Sequence, residues 1–162
     1  MHIRYSSTYG STKAYAQELA ARLGADALDT THPIPADGPV IVLGPVHGPK
    51  MPALQYVDRH QLQHRKLAVV AVGMTDPVIA AEKDQMRHHL PEHVARFYVP
   101  GRLFYSELSH KHLNIMRSVV ALLKAKPLKS AAEKALIAGF GKDIDHTDLA
   151  ALDPIVRWAE QT

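Results

Sequence analysis

The stretch His2-Ile3-Arg4-Tyr5-Ser6-Ser7-Thr8-Tyr9-Gly10-Ser11-Thr12 decides how the rest of the chain is read. Its first five residues have strand length. The next six, Ser7-Thr8-Tyr9-Gly10-Ser11-Thr12, are rich in hydroxyls, contain one glycine and carry no charge. A helical pattern starts at once, from about Thr12 to Leu23, with Ala14, Tyr15, Leu19 and Leu23 near helical spacing and Gly24 as its stop. The first amides of a helix have no internal partner, and its dipole puts partial positive charge at the same end. Hydroxyls and amides converging there suit a phosphate dianion without any lysine or arginine. An ordinary helix cap needs one hydroxyl residue, whereas Ser7, Thr8, Ser11 and Thr12 make four.

Outward from that loop, apolar runs of strand length alternate with longer helical patterns, which predicts a parallel sheet flanked by helices. A short second strand is expected at Ala27–Asp29. Val40-Ile41-Val42-Leu43 and Leu67–Val72 read as strands covered on both faces, and Ala95–Val99 as the fifth. Helices are expected at about Met51–Gln63 and Val78–His89. The predicted architecture is a single α/β domain, a doubly wound five-stranded parallel sheet of order 2-1-3-4-5. Ligands of such sheets bind beyond the carboxyl ends of the strands, where the order reverses, here between strands one and three. Two further loops share that rim: Gly44-Pro45-Val46-His47-Gly48 and Gly73-Met74-Thr75-Asp76-Pro77. Either alone is an ordinary turn. As a pair beside a phosphate loop, they suit a flat ligand such as a flavin ring.

After the fifth strand comes a two-helix insert, Lys111–Lys126 and Ser130–Ala138, split by Pro127. Ser130 and Glu133 have capping-box spacing. The first insert helix gathers Leu113, Ile115, Met116, Val119, Val120, Leu122 and Leu123 on half its circumference, bordered by Lys111, Arg117 and Lys124. Packing against the protein's own sheet edge or a partner is the commoner use of such a stripe. Resting on anionic lipid is the other. A last helix is expected from Asp153-Pro154, with Asp153 as its cap.

Composition narrows the chemistry. The 162 residues are 46% hydrophobic and 22% charged, with net charge +3; the pI is about 9.2. There is no cysteine, which excludes disulfides, iron–sulfur clusters and thiol nucleophiles. No basic run of five or more residues occurs, so nucleic acid is not an expected partner. His60/His64 and His110/His112 lack a third ligand, so no metal site is expected. No apolar stretch approaches about 18 residues and no signal pattern opens the chain. A cytoplasmic protein, at most peripheral to the inner face of the membrane, is the expectation. The chain has no GxxxxGK[ST], which argues against a P-loop NTPase. Tyr5-Ser6-Ser7 stands where a receiver domain needs acidic residues.

Ser7-Thr8-Tyr9-Gly10-Ser11-Thr12 resembles the flavodoxin phosphate signature [ST]-x-T-G-x-T, with Tyr9 in place of the usual threonine. Gly44-Pro45-Val46-His47-Gly48-Pro49-Lys50-Met51 is similar to the G-S-P-x-Y-x-G-K-M of the flavodoxin-domain group that includes menaquinone-dependent protoporphyrinogen dehydrogenases, with His47 where those relatives often have tyrosine. The similarity continues through Ala71–Pro77, Gly101–Leu108 and Gly141–Asp148, nearly the whole chain. The resemblance implies FMN as cofactor. Its phosphate would lie on residues 7–12, and its ring against Pro45, Val46, His47 and Gly48 on one side and Gly73, Met74, Thr75 and Asp76 on the other. It also implies oxidoreductase or electron-transfer activity with a redox partner or a quinone. A flavin-free binding or regulatory domain is the alternative. Cations at His47, Lys50 and Arg102 on the rim would favour the reduced, anionic flavin by about 1 kcal/mol for each close exposed pair, with Asp76 opposing.

Overall fold

The computed structural model describes residues 1–47 and 51–161. Its main sheet has the expected order, with β2 (Ala27–Asp29), β1 (His2–Tyr5), β3 (Val40–Pro45), β4 (Leu67–Gly73) and β5 (Ala95–Pro100) side by side. All four pairings are parallel, and Ile3 lies opposite both Ala27 and Ile41. β3 and β4 are buried nearly throughout, as continuous apolar strands between two helical layers should be. β5 is the edge, where only Val99 is fully buried.

Alternate residues of these strands feed two cores. Ile3, Ile41, Leu43, Val70 and Val72 pack with Tyr15, Ala16 and Leu19 of α1 (Ser11–Leu23) and with Leu152 and Ile155 at the C-terminus. Val40, Val42, Val69 and Ala71 pack with Ala53, Leu54 and Val57 of α2 (Pro52–Arg59) and with Leu62, Met86 and Leu90. Each such aliphatic side chain contributes about 1.5–3 kcal/mol by leaving water.

Three expected helices differ from the structure. The segment after β3 breaks at Gln61, which adopts a left-handed conformation (φ 51°), and Leu62–His64 form a separate 3-10 turn. α3 spans only Pro77–Lys83; Asp84 (φ 31°) ends it and accepts from Arg96 Nε at 2.9 Å. Asp153 does not cap the last helix. A 3-10 turn, Leu149–Leu152, runs directly into α6 (Asp153–Glu160), and the Asp153 carboxylate accepts from Arg22 instead, at 2.9 Å.

The insert forms α4 (His110–Ala125) and α5 (Ala131–Gly139), and the Ser130–Glu133 capping box is present in both directions. A two-stranded antiparallel ribbon, β6 (Arg102–Leu103) and β7 (Ile144–Asp145), brackets the insert. Strands of two residues leave no alternation to read, so the sequence offers no sign of it. No helix among the described residues is long and apolar enough to cross a membrane.

Candidate functional site

β1 and β3 are neighbours whose chains leave in opposite directions, so the sheet opens at residues 7–12. Gly10 precedes α1 in the left-handed region, φ 87°, a conformation that glycine adopts without steric cost. The turn aims the Gly10 and Lys13 amides at one point, where both donate to Ser7 Oγ at 3.2 and 3.3 Å. The amides of Ser11 and Thr12 between them meet no acceptor among the described residues. Both residues are buried, whereas Thr8 is exposed. The start of α1 therefore presents two amides that converge on Ser7 Oγ and two more, at Ser11 and Thr12, that meet no acceptor among the described residues. That is the donor set a phosphate monoester requires.

α1 is held by Tyr15, whose hydroxyl donates to the Pro100 carbonyl at the end of β5 and accepts from the Asp148 amide at 2.8 Å. The loop position is thus set from three segments far apart in sequence.

Tyr9 does not line the loop with its hydroxyl. Burial pushes the phenol pKa up, and the hydroxyl is hydrogen-bonded to His112 Nδ1 on α4. The two rings also meet edge to face at 5.7 Å. Ser109, the cap of α4, lies 3.1 Å from the same nitrogen. His112 is a residue that sequence reasoning did not assign to the site. Its partner lies 103 positions away, and no local pattern reports such a contact.

Of the loop after β3, Pro45, Val46 and His47 are described, and Gly48 and Lys50 lie outside the described residues. The Val46 amide donates to the Val72 carbonyl at 2.8 Å, tying this loop to the end of β4. His47 keeps an exposed surface, yet crowding by neighbouring atoms, and then repulsion from His112, hold its pKa below the ordinary 6.5. It is therefore less readily charged than a free imidazole and adds less to a basic rim.

The loop after β4 is pinned by Tyr98 on β5, another residue without a sequence signal. Its hydroxyl accepts from the Thr75 amide at 2.8 Å and donates to the Thr75 carbonyl at 3.0 Å. A Cβ on Gly73 would lie 2.6 Å from that hydroxyl, so a side chain there must displace the Tyr98 ring. Met74 and Thr75 are half-buried at the rim. The Asp76 carboxylate caps α3, accepting from the Val78 and Ile79 amides at 2.9 and 3.4 Å. A cavity of about 550 Å³ lies between α3 and β5, lined mostly by residues 77–98, and reaches the loops after β3 and β4 at Val46 and Thr75. Among the described residues, no group of three side chains could hold a metal.

A doubly wound parallel sheet of order 2-1-3-4-5, with a hydroxyl-rich loop and helix start at its switch point, defines the flavodoxin-like class. The chain belongs to the flavodoxin domain family, which it matches over residues 2–130. That match covers the sheet and α4 and ends at the cap of α5. A candidate flavoprotein from Bacteroides eggerthii, solved by crystallography, is similar at 13% identity over 74% of this chain and 96% of its own, with a TM-score of 0.42. No curated protein is significantly similar.

Proposed function

We propose that this domain binds FMN, with the phosphate on residues 7–12 and the ring between the 45–47 and 73–76 loops, and works as an oxidoreductase linked to a quinone or another redox partner. The observation that carries the reading is the start of α1. There the Gly10 and Lys13 amides point at one oxygen, and the buried Ser11 and Thr12 amides meet no acceptor among the described residues. A bound flavin supplies the electron chemistry. The chain's own residues supply position and exclusion of water. Tyr98 holds the Thr75 backbone, Val46 is tied to β4, and the αL turn at Gly10 sets the amides.

Residues 44–51, 71–77 and 101–108 support a relation to the quinone-linked dehydrogenases. The basic rim expected from the sequence is weaker at His47, whose pKa is depressed, while Asp76, the acid expected to oppose that rim, caps α3. Arg102 donates to the Tyr9 carbonyl, in the loop proposed to hold the phosphate. The insert adds a surface for the partner. Ile115, Leu122 and Leu128 are exposed among lysines, a pattern suited to an anionic membrane surface or an acidic protein.

The direct test is the visible spectrum of the purified protein after addition of FMN. Perturbed flavin bands with saturable binding are expected. Ser7→Ala with Thr12→Ala should weaken that binding by about 2–4 kcal/mol, from two lost bonds to a charged acceptor. A spectrum identical to free FMN would mean that the domain kept the fold without the cofactor.

A further inference from the structure

The β6–β7 ribbon places a guanidinium against the loop at residues 7–12. Arg102 opens β6 immediately after Gly101, at the end of β5. It donates from Nε and Nη2 to the Tyr9 carbonyl at 3.3 and 3.2 Å. The guanidinium carbon lies 5.0 Å from the centre of the Phe104 ring, which limits its swing. Its partner across the ribbon is Asp145, whose carboxyl is held below the usual range by Thr147 first, and also by Arg102 and His146. The Arg102 Nη1 group meets no acceptor among the described residues. The contact with the loop is close, since a Cβ built on Gly10 would fall 2.7 Å from Nη2. The residue that begins α1 and the one arginine of the ribbon therefore share one small volume.

The charges make this placement consequential. A phosphate monoester carries about −1.5 to −2 near pH 7. The helix start offers about half a positive charge, and the hydroxyls offer none. A planar guanidinium with free N–H donors matches phosphate oxygens in both charge and shape. We infer that Arg102 is the phosphate-recognising cation of this site and sets its preference for a phosphorylated flavin over the unphosphorylated one. The inference rests on the FMN reading above.

The rival role for Arg102 is a structural tie between the ribbon and the Tyr9 carbonyl, and the two roles differ in what they do to riboflavin. Fluorescence titration of the purified domain with FMN and with riboflavin separates them. The wild type should prefer FMN. Arg102→Gln should lower FMN affinity by about tenfold to a hundredfold, the loss of one charge-assisted contact, and leave riboflavin affinity unchanged. Arg102→Lys, which keeps the charge without the fork, should recover part of the preference. Circular dichroism confirms that each variant is folded. Equal weakening of both flavins in Arg102→Gln makes the residue a structural tie and overturns the inference, as does FMN affinity that does not change. A wild type that binds neither flavin overturns the FMN reading itself, and the inference falls with it.

Discussion

Tyr98 stands on the edge strand and governs a loop on the neighbouring one. Removing its hydroxyl leaves the Thr75 amide and carbonyl without their partner in a half-buried place. Tyr98→Phe should therefore cost about 1–3 kcal/mol in urea denaturation, with an unchanged slope. Gly73→Ala should reproduce the loss by pushing the same ring aside. His47 offers a second check at this scale. Its pKa is depressed, so the folded state holds fewer protons than the unfolded chain below pH 6.5. Its contribution to stability is present above that value and is lost as pH falls through the folded value. NMR titration of the imidazole should give a midpoint below 6.5. His112→Ala should raise that midpoint by removing a repulsion, while the burial contribution stays. A midpoint unmoved by the substitution would separate the two rings.

Of the elements, α4 departs most from a simple amphipathic reading. Its apolar stripe is wider than the contact it makes. Val120 is buried, Leu113, Met116, Val119 and Leu123 are half-buried, and Leu122 remains 74% exposed. Residues 110–142 carry seven Lys or Arg and a single acidic residue, Glu133, so this region holds more positive charge than the chain's net +3. Co-sedimentation with anionic vesicles at low salt, with release at high salt, is the expected result if lipid meets this face. Leu122→Glu should abolish it. No sedimentation would rule out lipid and leave packing against the protein's own sheet edge or a partner as the use of this face. The cap of α5 titrates. Lys126, and then the Ser130 amide, hold the Glu133 carboxyl down to about 2. A depressed acid stabilises the folded form above its ordinary value of 4.5, and that support is lost as pH falls toward 2. Amide protection in the first turn of α5, relative to the intrinsic exchange rate at each pH, should fall between those limits, and Glu133→Gln should remove the dependence.

For the whole molecule, a ligand that binds the native state alone must raise its stability. FMN at a hundred times its dissociation constant should add about 2.7 kcal/mol, read as a concentration-dependent rise in Tm. No rise would contradict a folded-state site. The five strands, both insert helices and the loop at residues 7–12 were legible in the sequence because each rests on a local signal, whereas the sheet order came from the small set of orders that doubly wound sheets adopt. Continuous apolar strands, helical spacing, a capping box and a hydroxyl cluster before a helix are all short-range patterns. The helix ends at Gln61 and Asp84 were not legible, because a left-handed residue stops a helix without breaking its apolar period. Nor was Asp153's use, since Arg22 lies 131 positions away. Tertiary structure alone decided the finer site. It sent the Tyr9 hydroxyl to His112, and put Tyr98 under Thr75 and Arg102 on Gly10. Those contacts join residues separated by 23 to 103 positions. Loop residues carry no periodicity, and only the closed sheet brings their ends to one rim.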